Sequence, residues 1–201
     1  MLISFEGIDG CGKSTQISML EEWCARKEIP AAVFREPGGT VLSEKIRDLL
    51  LDGRREMNPV TELLLFSAAR SQLISEQVKP LLDAGRWVIL DRFYDSTTAY
   101  QGFGRRSADL KEIDALNRLA AHNLEPDFTF YLKIGVEEAS KRTSGREKDR
   151  MESSGEEFYR RVIRGFDQLS SRFPRFVTLD ATQSPEAIHT QITTLLQEKP
   201  G

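Results

Sequence analysis

Apolar residues along this chain fall into two spacings that alternate. Short, nearly unbroken runs occur at 2–5, 31–34, 87–91, 128–134 and 176–179. Each has the length of a strand and ends on a glycine, a proline or a charged residue. Between them the spacing changes to that of a helix. In 13–27, Ile17, Leu20 and Cys24 share one face, and Leu42, Ile46, Leu49 and Leu50 mark the next helix. Asn58-Pro59 supplies an N-cap and a first-turn proline for a long helix running to about Val78, in which Leu63-Leu64-Leu65 reads as core. Leu110, Ile113, Leu116 and Leu119 place a helix at 109–122, and further helices are predicted at 136–142 and 156–171. Ser184-Pro185 opens the last helix, with Ile188, Ile192 and Leu195 on one face.

Strands separated by helices call for right-handed crossovers. The predicted fold is therefore α/β, a five-stranded parallel sheet with helices on both faces. The run at 87–91 is apolar enough to be buried on both sides. Ligands of such sheets bind at the carboxyl ends of the strands. That places candidate chemistry in three loops: the one after the first strand, 35–40, and 91–101.

The first of these loops is Gly7-Ile8-Asp9-Gly10-Cys11-Gly12-Lys13-Ser14. It matches the phosphate-binding P-loop and lies between a predicted strand and a predicted helix, as that motif requires. Glycines let backbone amides turn toward phosphate oxygens, and the helix N-terminus adds positive potential. Lys13 supplies a full charge for the β and γ phosphates, and Ser14 a hydroxyl for Mg²⁺. Asp91-Arg92 closes the third strand. Asp91 there suits a Mg²⁺ held through water, and Arg92 suits a phosphate. Arg35-Glu36-Pro37-Gly38-Gly39-Thr40 can shape a further anion pocket. Lys141, Arg142, Arg146, Lys148 and Arg150 form a basic stretch around Ser144-Gly145. It reads as a lid at about 143–154 that closes over transferred phosphate.

Composition narrows this picture. The 201 residues suit a single domain spanning 1–201. A formal charge of -3 argues against coating nucleic acid, so any polyanion must sit in a local basic site. No apolar run approaches the ~20 residues of a membrane span, and the first five residues are too short for a signal peptide. Two cysteines, one of them in the phosphate loop, make no disulfide framework and fit a reducing cytoplasm. His122 and His189 have no partner pattern, and no guanine-reading Asn-Lys-x-Asp occurs.

Taken together, these runs resemble the thymidylate kinases, P-loop nucleoside monophosphate kinases with a lid. The resemblance is carried by Phe5-Glu6-Gly7-Ile8-Asp9-Gly10, by Arg35 to Thr40, and by Ala69-Arg70. It continues in Asp91-Arg92 followed by Ser96 and Ala99-Tyr100-Gln101-Gly102, then Pro126-Asp127 and Leu179-Asp180-Ala181. It implies transfer of the ATP γ-phosphate to dTMP, with Mg²⁺, in a cytoplasmic homodimer. By position, Gly7 to Thr15 would bind ATP, and Arg142 would pack on adenine. Asp9 would reach the acceptor sugar and the transfer centre. Arg92 and Arg35 would hold the dTMP phosphate, with Glu36 nearby. Phe66 would stack on thymine and Arg70 donate to its carbonyl. Thr97 would meet the base edge and Tyr100 crowd the ribose 2′ position, while Ser96 and Gln101 line the same pocket. The family supplies its catalytic arginine either from the P-loop or from the lid. Gly10 stands at the P-loop position, so the resemblance implies a lid arginine, Arg146, with Arg150 as the alternative.

Overall fold

The computed structural model describes residues 1–54, 56–145, 150–151 and 154–198. Strands β1 (Leu2–Glu6), β2 (Ala31–Arg35), β3 (Trp87–Asp91), β4 (Phe128–Lys133) and β5 (Phe176–Asp180) form one sheet in the order β2-β3-β1-β4-β5. All four neighbouring pairs are parallel. The predicted strands are all present, and β1 lies at the centre, bonded on one side to β3 and on the other to β4. Alternation along β1 sends Ile3 and Phe5 to one face and Leu2, Ser4 and Glu6 to the other.

Each face meets helices. Ile3 and Phe5 pack with Ile17, Leu20 and Cys24 of α1 (Lys13–Arg26), with Phe158, Val162 and Phe166 of α8 (Glu156–Arg172), and with Ile188 and Ile192 of α9 (Pro185–Glu198). Leu2, Val88 and Leu90 pack instead with Leu73 of α3 (Pro59–Leu73), and with Ile74 and Val78 beyond it. Each such side chain contributes about 1.5–3 kcal/mol of transfer free energy. A separate small cluster joins Ile46 and Leu50 of α2 (Val41–Leu51) to Ala69. Two shorter helices, α6 (Leu110–Ala120) and α7 (Val136–Thr143), complete the crossovers between β3, β4 and β5.

Three expectations are corrected. The long helix does not stop near Val78. It passes through a π-helical stretch, Ile74–Val78, into α4 (Lys79–Asp83), so that Pro80 falls in the first turn of the new segment, where its missing N–H costs least. The segment predicted as a loop at 91–101 is largely helical: α5 (Tyr94–Thr97) continues into a π-helical stretch, Thr98–Arg105. Not every leucine on the predicted faces is core. Leu42, Leu49 and Leu64 are about half exposed, as is Leu110, and Leu119 is largely exposed. Ile113, Asn117 and Ala120 form the buried face of α6.

Candidate active site

The P-loop is held where β1 ends. Gly7 has φ +139°, and a Cβ there would come within 2.7 Å of the Leu132 carbonyl oxygen. Gly10 has φ +82°, and its Cβ would come 2.7 Å from the Ala139 carbonyl of α7. Backbone conformation and space thus both require glycine at position 10, which leaves no room for a basic side chain. Gly12, at φ +98°, starts α1. The Lys13 ammonium is buried and donates to the carbonyls of Gly7 at 3.1 Å and Ile8 at 3.4 Å. Cys11 and Ile8 are buried in the core beneath, while Ser14 and Thr15 face the cleft.

Arg92 stands beside this loop. It has φ +72°, the left-handed region that a Cβ disfavours, so the surroundings must hold it there. Its guanidinium donates to the Gly7 carbonyl at 2.9 Å, the Ser96 hydroxyl at 3.1 Å and the Asp9 carboxylate at 2.8 Å, and lies 4.9 Å over the Tyr100 ring. Burial opposes ionisation of Asp9, yet the Arg92 and Lys13 charges and the hydrogen bonds from Arg92 and Tyr159 outweigh it, bringing the carboxyl down to about 2. Asp9 is therefore an anion throughout the neutral range.

The base-side residues gather around Arg70, which is almost wholly buried. It donates to Glu36 at 2.7 Å, to the Thr97 hydroxyl at 2.9 Å and to Asn117 at 3.4 Å. Burial nevertheless pushes the Glu36 carboxyl up against the pull of Arg70. Gln101 donates to Glu62 at 2.8 Å. Several buried side-chain oxygens lack a partner among the described residues, among them Gln16 Oε1, Glu36 Oε1 and Asp91 Oδ1. Buried polar atoms seldom go unpaired, and these three residues line the cleft, so these atoms mark places where a ligand would complete the bonding.

The cleft consists of two cavities. The larger, of about 810 Å³, is lined by Asp9 to Gln16, Arg35, Asp91, Arg142 and Ala181. The smaller, of about 120 Å³, is lined by Phe66, Arg70, Phe93, Ser96, Thr97, Tyr100 and Gln101. Asp9, Glu36, Arg47 and Arg92 line both. The predicted donor-side and acceptor-side residues are thus brought together as two adjoining groups. Arg35 lies on the larger side, bonded to Glu44 at 3.1 Å. Arg142 donates to the Ala181 carbonyl at 3.0 Å. Arg146 lies outside the described residues. Arg150 is committed elsewhere, to Glu62 at 2.6 Å and the Leu50 carbonyl at 2.9 Å. Sequence reasoning missed Arg47, Met151 and Tyr159. The first two line the smaller cavity, and Tyr159 donates to Asp9 at 3.4 Å. An arginine in the middle of an amphipathic helix and a tyrosine far along the chain carry no local signal of such contacts.

The thymidylate kinase family model matches residues 5–192 of this sequence. The chain belongs to the thymidylate kinase family. It is 47% identical to a thymidylate kinase from Prosthecochloris aestuarii, covering all of this chain and 95% of that protein. It is 43% identical to one from Caldanaerobacter subterraneus, covering 98% and 94%. Among solved structures, a thymidylate kinase from Ehrlichia chaffeensis superposes with a TM-score of 0.79 at 34% identity, each chain covered to 98%. Membership of the thymidylate kinase family carries the activity, transfer of a phosphoryl group from ATP to dTMP to give dTDP, a step toward the nucleotides of DNA synthesis.

Proposed function

We propose that this chain performs that transfer as a single domain, with ATP in the larger cavity, dTMP in the smaller, and the γ-phosphoryl group passing between them beside Asp9 and Arg92. The observation that carries this reading is the lining the two cavities share. ATP phosphates lie along Gly7 to Thr15 with Lys13 at the β and γ groups, and adenine lies by Arg142 and Ala181. Thymine lies against Phe66, with Arg70 as the donor to its carbonyl. Arg70 is preset for this by Glu36 and Thr97, so Thr97 acts on the base through Arg70. Tyr100 closes the ribose 2′ side, and Ser96 and Gln101 complete the pocket. Arg92 holds the acceptor phosphate, with Arg35 as the second donor from the side of the larger cavity. That phosphate oxygen is already anionic, so no general base is needed. Asp9, ionised throughout, orients Arg92 rather than exchanging protons.

Oxygen donors in this cleft fit Mg²⁺. The Ser14 hydroxyl faces the larger cavity and the Asp91 carboxylate has a buried oxygen there without a partner among the described residues, so these two residues would hold the ion, Asp91 through water. When bound, Mg²⁺ neutralises charge on the phosphate oxygens. The arginine that meets the moving phosphoryl group is assigned to Arg146, because Gly10 admits no side chain and Arg150 is spent on Glu62. No helix among the described residues is long and apolar enough to cross a membrane. A cytoplasmic homodimer is the working form, paired through the apolar faces of α2 and α3.

An ADP-release assay run side by side with dTMP, dUMP, CMP and UMP tests this assignment. The expected order is dTMP first, with dUMP behind by about 10–200-fold, the discrimination one methyl group supports. Preference for CMP or UMP would overturn it. In the same assay Arg146→Ala should lower kcat with little change in the KM for dTMP, and Arg150→Ala should not.

A further inference from the structure

Glu6 has no role in the transfer just described, yet it is the last residue of β1, fully buried, and lies directly behind the phosphate clamp. Its Oε1 accepts from the Phe93 amide at 2.8 Å, and its Oε2 meets the Ser96 hydroxyl at 2.5 Å. The Ser96 oxygen in turn accepts from Arg92 at 3.1 Å. Glu6 therefore grips both ends of the turn that carries Arg92: the amide immediately after it, and the hydroxyl one helical turn on that touches its guanidinium. Among the described residues nothing else bonds the Phe93 amide, and the left-handed conformation of Arg92 needs such a restraint.

We propose that Glu6 is a positioning residue for acceptor binding, fixing Arg92 through Phe93 and Ser96 so that its guanidinium is already aimed at the phosphate of dTMP. This rests on the reading of Arg92 as the phosphate clamp. Burial first, and then the negative charge of Asp95, push the Glu6 carboxyl up to about 8. The uncharged acid performs the task equally well. Oε1 faces a donor, so the proton resides on Oε2, where it bonds the Ser96 oxygen without disturbing the bond from Arg92. A glutamine amide reproduces that pattern, accepting from Phe93 and donating to Ser96. An aspartate, one methylene shorter, reaches neither group.

The test is a set of steady-state measurements on the whole enzyme with ATP and dTMP varied in turn. Glu6→Asp should raise the KM for dTMP about tenfold or more and leave the KM for ATP within about twofold, a selective loss of acceptor binding. Glu6→Gln should stay within about threefold of the parent on both substrates, because its amide preserves the hydrogen bonds. Combined with Arg92→Ala, the Glu6→Asp change should add nothing further, since both act on one contact. If Glu6→Asp yields no folded protein, Ser96→Ala cuts the same relay and should be equally non-additive with Arg92→Ala. Equal loss for both substrates, multiplying effects in the double variant, or a Glu6→Gln loss as large as that of Glu6→Asp would overturn the proposal. An unchanged KM for dTMP in Arg92→Ala would overturn the clamp itself. A large effect there beside parent-like Glu6→Asp would overturn only the role of Glu6.

Discussion

At the scale of single residues, opposite pKa shifts separate the tasks of two neighbouring carboxylates. Asp9, on the cleft, is drawn down to about 2. The stability it contributes is present above its ordinary value of 3.8 and is lost only as the pH falls through 2. Glu6, behind the cleft, is raised from its ordinary 4.5 to about 8. Between those two values the folded state holds a proton that the unfolded chain has released, so stability falls as the pH rises across this window. Asp95, buried against Arg175 and facing Glu6, is also raised, burial being the first cause, and acts with the same sign. Arg92 and Arg175 stay charged throughout, and Asp9 titrates below the window. The melting temperature of the parent should therefore decline from pH 5 to pH 8. In Glu6→Gln the decline should be visibly shallower, leaving the shares of Asp95 and Glu36, which burial also raises, against the opposite share of His189, which burial lowers. Parallel curves from differential scanning calorimetry would contradict this account. Residue identities were legible in the sequence where a motif recruits consecutive positions, as at Gly7 to Ser14. They were not legible where a contact depends on side chains far apart in the chain, as with Tyr159 on Asp9 or Arg150 on Glu62.

At the scale of elements, all five strands and most helices could be read from apolar spacing because each buries one continuous stripe. The segment after β3 could not. Thr97, Thr98, Gly102 and Gly104 are poor helix formers, and together they read as a loop. Packing explains the helix that forms instead. A Cβ at Gly104 would lie 2.5 Å from the Phe158 ring, and one at Gly165 would lie 2.8 Å from the Phe103 ring. The π-helical stretch and α8 approach so closely that each needs a glycine under the other's aromatic ring. Tertiary contact thus overrides local propensity, and the same approach sets Tyr100 against Phe158 and Phe166 beside the pocket. Gly104→Ala should therefore destabilise the fold by about 1–3 kcal/mol, the usual cost of overpacking, instead of gaining the helix propensity of alanine. Urea unfolding would show it, and a stabilised variant would refute the packing argument.

At the scale of the whole molecule, the half-exposed leucines that sequence reading assigned to the core acquire a different meaning. Val41, at 77% exposure, stands with Leu42, Leu49, Val60 and Leu64 on the outward sides of α2 and α3. Those two helices pack on each other, and their apolar outer sides fit the homodimer contact proposed above, related by a two-fold axis. Charge placed at the middle of that surface, as in Leu64→Glu, should convert a dimer into a monomer in sedimentation velocity while the fold persists, because Leu64 is not needed in the core. A parent that sediments as a monomer would remove the proposal.

The central position of β1 has one more consequence. Its residues pair with β3 on one side and β4 on the other, whereas β2, which ends on Arg35, is an edge strand. Local openings release edges before centres. In deuterium labelling of the native protein, the amides of Ser4 and Phe5 should be among the slowest to exchange and those of β2 should yield earlier. The phosphate loop would then hang from the part of the chain that opens last. A partial opening that frees Arg35 would leave the ATP cradle intact.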